Sequence, residues 1–323
     1  MVKKYPLKDA DKATIEKIAQ GVLNTYSLQH LTGLSAARAL ENEVSDLWAL
    51  TEGNDSESLT EVRRRRGLST SLPDESLMPT VFELDNGLLA LAHVCRNHSD
   101  ETLIEIFSDQ VIDKSFLQSF APLLLTHFSW SQAKYFDVWH KPNSQTAHNL
   151  LSMSGSKGFD CFVAASKNLL NLSTSNQLAL VSFDLDKHWS WYEAEYKAFH
   201  IQRPELCETV EIEDPQDIEE AIAAGLCDVA YLNQEPIAMI MAEDSEELGC
   251  KGLLFRDILV AAKFRGKGYG AEVQRTFIKK HYAKYELFSG FIDTANIASL
   301  RNAAKQGREI LRQEICVPTE HFK

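Results

Sequence analysis

The chain has 323 residues, 44% of them hydrophobic, and a formal charge of −13, which suits two domains of ordinary size. The acidity argues against a general nucleic-acid binder, whose footprint is basic, and it is compatible with a cationic acceptor such as an amine. No segment approaches the ~18 apolar residues of a membrane helix, and Met1-Val2-Lys3-Lys4 lacks a secretory pattern, so no membrane association is expected. The six cysteines (95, 161, 207, 227, 250 and 316) are scattered without a Cys-x-x-Cys pair. They read as reduced thiols of a cytoplasmic protein, with no zinc site or other metal expected.

In the first half, Gly53–Pro79 reads as a polar insertion carrying Arg63-Arg64-Arg65-Arg66, either a solvated face or a clamp for phosphate. Thr80–Leu84 and Leu88–Cys95 are strands flanking the hairpin signal Asp85-Asn86-Gly87. Leu103–Phe107 is a strand, Phe116–Phe128 a helix, Tyr135–Trp139 a strand, Thr146–Met153 a helix and Cys161–Ala165 a strand. Trp130, Trp139, His140 and His148 are either cleft-lining or core residues. Asn168–Asn176 reads as a linker.

In the second half, Gln177–Phe183 is a strand, and Trp189–Ala198 and Pro215–Ala224 are helices, the latter with proline at its first position. Cys227–Leu232 and Pro236–Ala242 form a hairpin around Asn233-Gln234-Glu235, and Glu243–Gly252 reads as an acidic turn or loop. Leu253–Val260 is a strand, followed by a glycine turn and a helix to Tyr282. Leu287–Thr294, Asn296–Gln306 and Glu309–Val317 follow as strand, helix and strand. The order β-α-α-β-β-β-α-β-α-β predicts a mixed, mostly antiparallel α/β sheet flanked by helices. Pairing Asn86 with Asn233, Leu103 with Leu254 and Asn143 with Asn296 gives a steady offset of roughly 150 residues, as an internal duplication leaves. The expected domains are 1–172 and 173–323.

The chemistry-bearing segment is Val260-Ala261-Ala262-Lys263-Phe264-Arg265-Gly266-Lys267-Gly268-Tyr269-Gly270. A glycine turn between a strand and a helix exposes backbone N–H groups, and the helix N-terminus favours anions. A P-loop needs Ser or Thr after Gly-Lys, and Lys267 is followed by Gly268. A dinucleotide fold places its loop after the first strand of a parallel unit, not after hairpins.

This segment resembles the GCN5-related N-acetyltransferase superfamily, whose signature is Arg/Gln-x-x-Gly-x-Gly/Ala. Arg265, Gly268 and Gly270 match it, and Val260 stands at the family's strand-end valine. A second family segment matches Asn296, Ser299, Lys305 and Gly307, whereas the family's tyrosine acid falls at Ala303 and its aromatic at Arg308. The resemblance implies the acyl-CoA N-acyltransferase fold, in tandem if the halves are copies. It also implies an N-acetyltransferase in which a substrate amine, on a small molecule or a protein, attacks acetyl-CoA directly. Arg265, Gly266, Lys267, Gly268, Tyr269 and Gly270 would hold the pyrophosphate. The backbone of Ile258, Leu259 and Val260 would hold the pantetheine, and Asn296, Ser299 and Lys305 would complete the site. Asp257 is the candidate base, ahead of Glu195 and Asp293, unless it is a structural carboxylate paired with Arg256. The thiolate acid is unassigned among water, Tyr269, His281 and Tyr282. In the first half the equivalent loop, Phe107–Asp113, has no glycine and two acids, so that half is expected to have lost the cofactor. A catalytically silent acyl-CoA sensor and an interaction module are the alternatives.

Overall fold

A computed structural model of the chain describes residues 2–97, 100–175 and 177–323. In chain order the elements are β1 (Lys3–Pro6), α1 (Lys12–Leu23), α2 (Ala36–Ala49), α3 (Ser56–Arg66), β2 (Thr80–Glu83), β3 (Leu89–Arg96), β4 (Thr102–Ser108), α4 (Lys114–His127), β5 (Tyr135–His140), α5 (Gln145–Leu151) and β6 (Lys157–Ser166). They continue as β7 (Ala179–Ser182), α6 (Leu185–Gln202), α7 (Pro215–Ala223), β8 (Cys227–Leu232), β9 (Glu235–Glu247), β10 (Cys250–Val260), α8 (Tyr269–His281), β11 (Leu287–Asp293), α9 (Ile297–Lys305) and β12 (Glu309–Pro318). Apart from α3, the order of the first eleven recurs in the last ten. Among the described residues no helix is long and apolar enough to cross a membrane.

Two compact units emerge, and neither is a contiguous stretch of chain. One comprises Met1–Ser27, Ser35–Phe159 and Arg312–Lys323; the other comprises Leu28–Leu34 and Asp160–Leu311. The first unit's strands run β1-β2-β3-β4-β5-β12, and the second's run β6-β11-β10-β9-β8-β7. Each half of the sequence therefore contributes its last strand to the other unit, which a single boundary at residue 172 does not describe. Asn168–Ser175 is no loose linker either, and Asn176 lies outside the described residues. Lys167 N–H donates to Glu286 O at 2.9 Å and Asn171 N–H to Gln306 O at 2.9 Å, while Leu170 and Leu172 pack on the second unit's core.

Among the described residues of the first unit only β4 and β5 pair in parallel; the other neighbours are antiparallel. Alternating side chains put Ala90, Ala92, Ile104, Ile106, Phe136 and Val138 against α4 and α5, and Val81, Leu89 and Leu91 against α1 and α2. Helices α1 and α2 precede every segment expected above. The Gly53–Pro79 insertion contains a true helix, α3, capped by Asp55 and closed by Gly67 at φ 61°. Its arginines are committed within the protein. Arg63 pairs with Asp74, Arg64 and Arg65 with Glu61, and Arg66 lies over Trp130.

The second unit has the same plan, with β10 and β11 as its parallel pair. Its one departure from expectation is Glu243–Gly252. Strand β9 runs on through Glu247 and turns at Leu248 (φ 54°) and Gly249 (φ 67°) into β10, a two-residue hairpin of the kind that needs positive φ at both positions. The acids that suggested a loop are rungs of a ladder with one solvated side: Asp244 and Glu246 pair opposite Leu253 and Lys251.

Candidate active site

The site is built on an irregularity in β10. The β9–β10 register shifts between Phe255 and Asp257, leaving Arg256 as an extra residue. Strict alternation would put Leu253, Phe255, Asp257 and Leu259 on one face. The bulge reverses the parity. Leu253 and Phe255 join the core under α8, with Ile258 and Val260 against it, while Leu259 joins the opposite core with Tyr192 and Tyr196 of α6.

Asp257 turns to that opposite face and is 8% exposed. Tyr192 and Tyr196, one helical turn apart on α6, donate their hydroxyls to its Oδ2 and Oδ1 at 2.6 and 2.9 Å. Burial pushes its pKa up to about 6, against the two tyrosine hydrogen bonds, which pull it down. Burial and the adjacent carboxylate drive both tyrosines well above the usual phenol range. The expected alternative pairing with Arg256 is absent, because Arg256 bonds Glu243 at 3.0 Å and Glu213 at 3.3 Å instead. The tyrosine pair escaped the sequence reading, although Tyr-x-x-x-Tyr inside an expected helix is a legible signal for two hydroxyls on one face.

Beyond the bulge the sheet forks. The β10–β11 ladder extends only from Gly252–Phe255 against Leu287–Gly290. Past it, β10 follows β9 to Val260↔Ala238 and β11 follows β6 to Asp293↔Asp160. Ile258, Leu259 and Val260 thus line one arm of an open fork.

At the end of that arm lies the glycine turn. Gly266 (φ 74°) and Gly268 (φ 87°) occupy left-handed conformations that a side chain resists. Residues Gly266, Lys267 and Gly268 are exposed. Gly268 caps α8 with no side chain of its own to bond the helix's first N–H groups, which leaves these donors to an anion. The cradle fits a pyrophosphate. Arg265 does not reach outward: its Nε donates to Val260 O at 2.7 Å, its Nη1 to Gln202 Oε1 at 2.8 Å and its Nη2 to Glu195 O at 3.3 Å. It clamps the turn to the strand end and α6. Lys267 remains the exposed cation of the loop, above Phe264. Tyr269 packs edge-on against Phe264.

The secondary candidates resolve into scaffolding. Glu195 Oε2 accepts Ala262 N–H at 2.6 Å, and Asp293 Oδ1 accepts Ala295 N–H at 2.6 Å; both fix turns. Asn296 caps α9 by accepting Ser299 N–H at 3.2 Å, and Lys305 is exposed at its far end. His281 and Tyr282 stand at the opposite end of α8 from the turn, about 18 Å along the helix. Ala303 is 1% exposed among Cys161, Val163, Ile292, Leu300 and Ile310, where a tyrosine has no room. Arg308 is buried, donates to Gln274 Oε1 at 2.6 Å and stacks on Phe255 at 4.5 Å, filling an aromatic's place with a cation. A cavity of about 950 Å³ lies along β7 beside His188 and Tyr231 and includes no residue of the glycine turn.

In the first unit, β4 and β5 fork likewise after Glu105↔Asp137. Its turn is tied down by side chains: Asp109 Oδ1 accepts Leu89 N–H at 3.0 Å and Ser108 Oγ accepts Gln110 N–H at 3.1 Å. Trp139 and His140 line a cavity of about 580 Å³ in this fork, together with Lys141 and Arg312. Trp130 instead donates to Ser76 O, and His148 is exposed on α5.

No family model matches the sequence, and no curated protein does. Among solved structures the chain is similar to a GCN5-related N-acetyltransferase from Sphaerobacter thermophilus, with a TM-score of 0.51 and 12% identity, covering 98% of this chain and 94% of that one. It also aligns with a GNAT-family acetyltransferase from Colwellia psychrerythraea (TM-score 0.47, 13% identity, 82% of this chain and 97% of that one). A tandem GNAT protein from the clavulanic acid biosynthesis pathway aligns at TM-score 0.46 and 11% identity, over 99% of each chain. The forked sheet, the bulged strand and the glycine turn are arranged on the acyl-CoA N-acyltransferase fold of the GCN5-related N-acetyltransferases.

Proposed function

We propose that the chain is an acyl-CoA-dependent N-acyltransferase, transferring an acetyl group from acetyl-CoA to an amine by direct attack. The observation that carries the reading is the uncapped glycine turn Arg265–Gly270 at the end of a strand arm that has parted from its neighbour. The bare N–H groups at the start of α8 receive the pyrophosphate, and the open edge of Ile258–Val260 receives the pantetheine amides. A β10 N–H facing the thioester oxygen stabilises the oxyanion as it forms. The amine nitrogen bonds the carbonyl carbon, the C–S bond breaks, and the proton shed by the amine passes, directly or through water, to Asp257. With a pKa of about 6, Asp257 is ionised at neutral pH yet basic enough to accept it. The departing thiolate takes its proton from water, since position 303 carries no hydroxyl. The first unit is, on this reading, a second copy of the fold without a cofactor loop.

A silent acyl-CoA sensor is the second reading, favoured by the buried Ala303. Two measurements separate them. Acetyl-CoA raises the melting temperature under both, because a ligand of the native state alone stabilises it. Release of CoA thiol with a panel of small amines, amino acids and peptides occurs only for the enzyme. Absence of any thermal shift at saturating acetyl-CoA removes both.

A further inference from the structure

In the first unit, a row of metal-ligating side chains crosses four adjacent strands. His93 on β3 stands opposite Glu105 on β4, Glu105 opposite Asp137 on β5, and Asp137 opposite Cys316 on β12. Cys95 and Glu314 lie two residues along β3 and β12, hence on the same face. Ligand atoms of Cys95, Glu105 and Asp137 all lie within 4.8 Å of one another, as do those of Asp137, Glu314 and Cys316, so Asp137 belongs to both groups. The Cys316 thiol points at Glu314 Oε1, 4.0 Å away.

These groups are not a solvated acidic patch. Asp137 is 4% exposed and Glu314 6%. Asp137 Oδ1 is buried without a hydrogen-bond partner, a state that costs free energy unless something absent from the chain itself satisfies it. Lys157 donates to Glu101 at 2.8 Å, and the Arg312 guanidinium lies over the rings of Tyr26 and Trp139.

We propose that the Asp137–Glu314–Cys316 group of this row is a buried binding site for a divalent transition metal of the zinc class, with Cys316 as the thiolate ligand and Asp137 and Glu314 as the carboxylate ligands. A sulfur and two carboxylates at near-contact separation suit zinc, and they disfavour magnesium or calcium, which take oxygen alone. The Cys95–Glu105–Asp137 group stands beside it, with Glu105 Oε2 held 2.8 Å from His93 Nε2. The ion would tie β12 to β5, stabilising the sheet that the C-terminal strand completes.

The test uses the full chain, stripped with a chelator and dialysed against buffered zinc. One equivalent of zinc is expected to remain by elemental analysis, and added zinc is expected to raise the melting temperature. Asp137→Asn and Cys316→Ser each weaken zinc binding at least about tenfold, whereas Cys207→Ser and Cys250→Ser leave it unchanged. Cobalt loaded into the unsubstituted chain should show a thiolate charge-transfer band that Cys316→Ser removes and Cys95→Ser leaves, a readout that stands even if Asp137→Asn fails to fold. No retained zinc, a cobalt spectrum without that band, or wild-type affinity in Cys316→Ser would overturn the site. The first of these outcomes would leave a proton-sharing carboxyl pair as the explanation of the row.

Discussion

Asp257 can be tested without any assumption about substrate. Its folded pKa of about 6 lies above the unperturbed 3.8. The folded state therefore binds its proton more tightly than the unfolded state, and the associated stability is fully present below pH 3.8 and lost as pH rises through 6. A shift of this size corresponds to about 3 kcal/mol, at about 1.4 kcal/mol per pK unit. Asp257→Asn removes the titration while keeping an oxygen for one tyrosine hydroxyl and an amide for the other to accept from. Urea unfolding at a series of pH values, with the variant subtracted from wild type, isolates this group from every other carboxylate. The difference should move by about 3 kcal/mol in the variant's favour between roughly pH 4 and pH 7. A flat difference would mean that Asp257 titrates normally and that the burial argument fails. Activity adds an independent readout. If Asp257 takes the amine proton, kcat/KM of wild type rises through about pH 6, and the variant lacks that limb. A variant that shows the stability difference but keeps the limb would make Asp257 a structural carboxylate held by Tyr192 and Tyr196.

Gly268 sits at φ 87°, so Gly268→Val should cost on the order of 1–3 kcal/mol of loop strain and abolish the melting shift with acetyl-CoA; unchanged binding by calorimetry would remove the turn from the cofactor site. Arg265→Ala frees Val260 O, Gln202 and Glu195 O, and should weaken acetyl-CoA binding by at least about tenfold by loosening the cradle, with little change in the overall melting temperature of the free chain. Ala303→Tyr should destabilise by roughly 1–3 kcal/mol through overpacking and should not raise kcat, since the position faces Cys161 and Val163; a gain in kcat would show that position 303 still reaches the thiolate. Gly21→Ala places a Cβ 1.9 Å from Ser108 O, so its denaturation midpoint should fall, by about 2 kcal/mol or more of stability, and acetyl-CoA affinity should be unaffected.

Where a segment's role is set by its neighbours in sequence, it was legible. The repeated order of elements, the hairpins at Gly87 and Asn233, the proline-led start of α7 and the glycine turn all follow from local periodicity and turn chemistry. What escaped depends on pairing partners. The Glu243–Gly252 acids look like a loop because each is polar, yet the strand they form needs only one buried side. The bulge at Arg256 leaves no mark in composition, so the face on which Asp257 lies could not be read, and neither could its meeting with two tyrosines more than sixty residues away. Arg265 matched a motif by identity while its side chain turned inward to hold a carbonyl. The exchange of β6 and β12 between units is invisible for the same reason, since each strand follows its predecessors at ordinary spacing. The expectation of no metal site rested on local cysteine spacing, and the site proposed here is assembled by the register of β12 against β5.

The two forks show how one backbone device diverges. In each unit a parallel pair separates after a short ladder, and the residues at the parting set what the opening can hold. In the second unit these are Phe255 and Gly290. A Cβ added at Gly290 would lie 3.3 Å from Phe255 O, so the parting strands come as close as a side-chain-free position permits, and Arg308 lies against the Phe255 ring. The arm beyond carries apolar Ile258, Leu259 and Val260 and ends in bare N–H groups, a surface for an uncharged amide chain that ends in phosphates. In the first unit the parting residues are Glu105 and Asp137, and the turn beyond has Asp109 and Ser108 already hydrogen-bonded to backbone N–H groups. Acids stand at the crotch where the second unit has Phe255 and Gly290, and at the tip the Gln110 N–H is already taken by Ser108 Oγ, so loss of the glycines alone does not account for the difference. Restoring glycine at Asp109 and Gln110 together should therefore fail to create an acetyl-CoA shift in a chain already carrying Gly268→Val, as long as Glu105 and Asp137 remain. If that chain does bind, the turn alone decides cofactor binding, and the acids at the parting have no bearing on it.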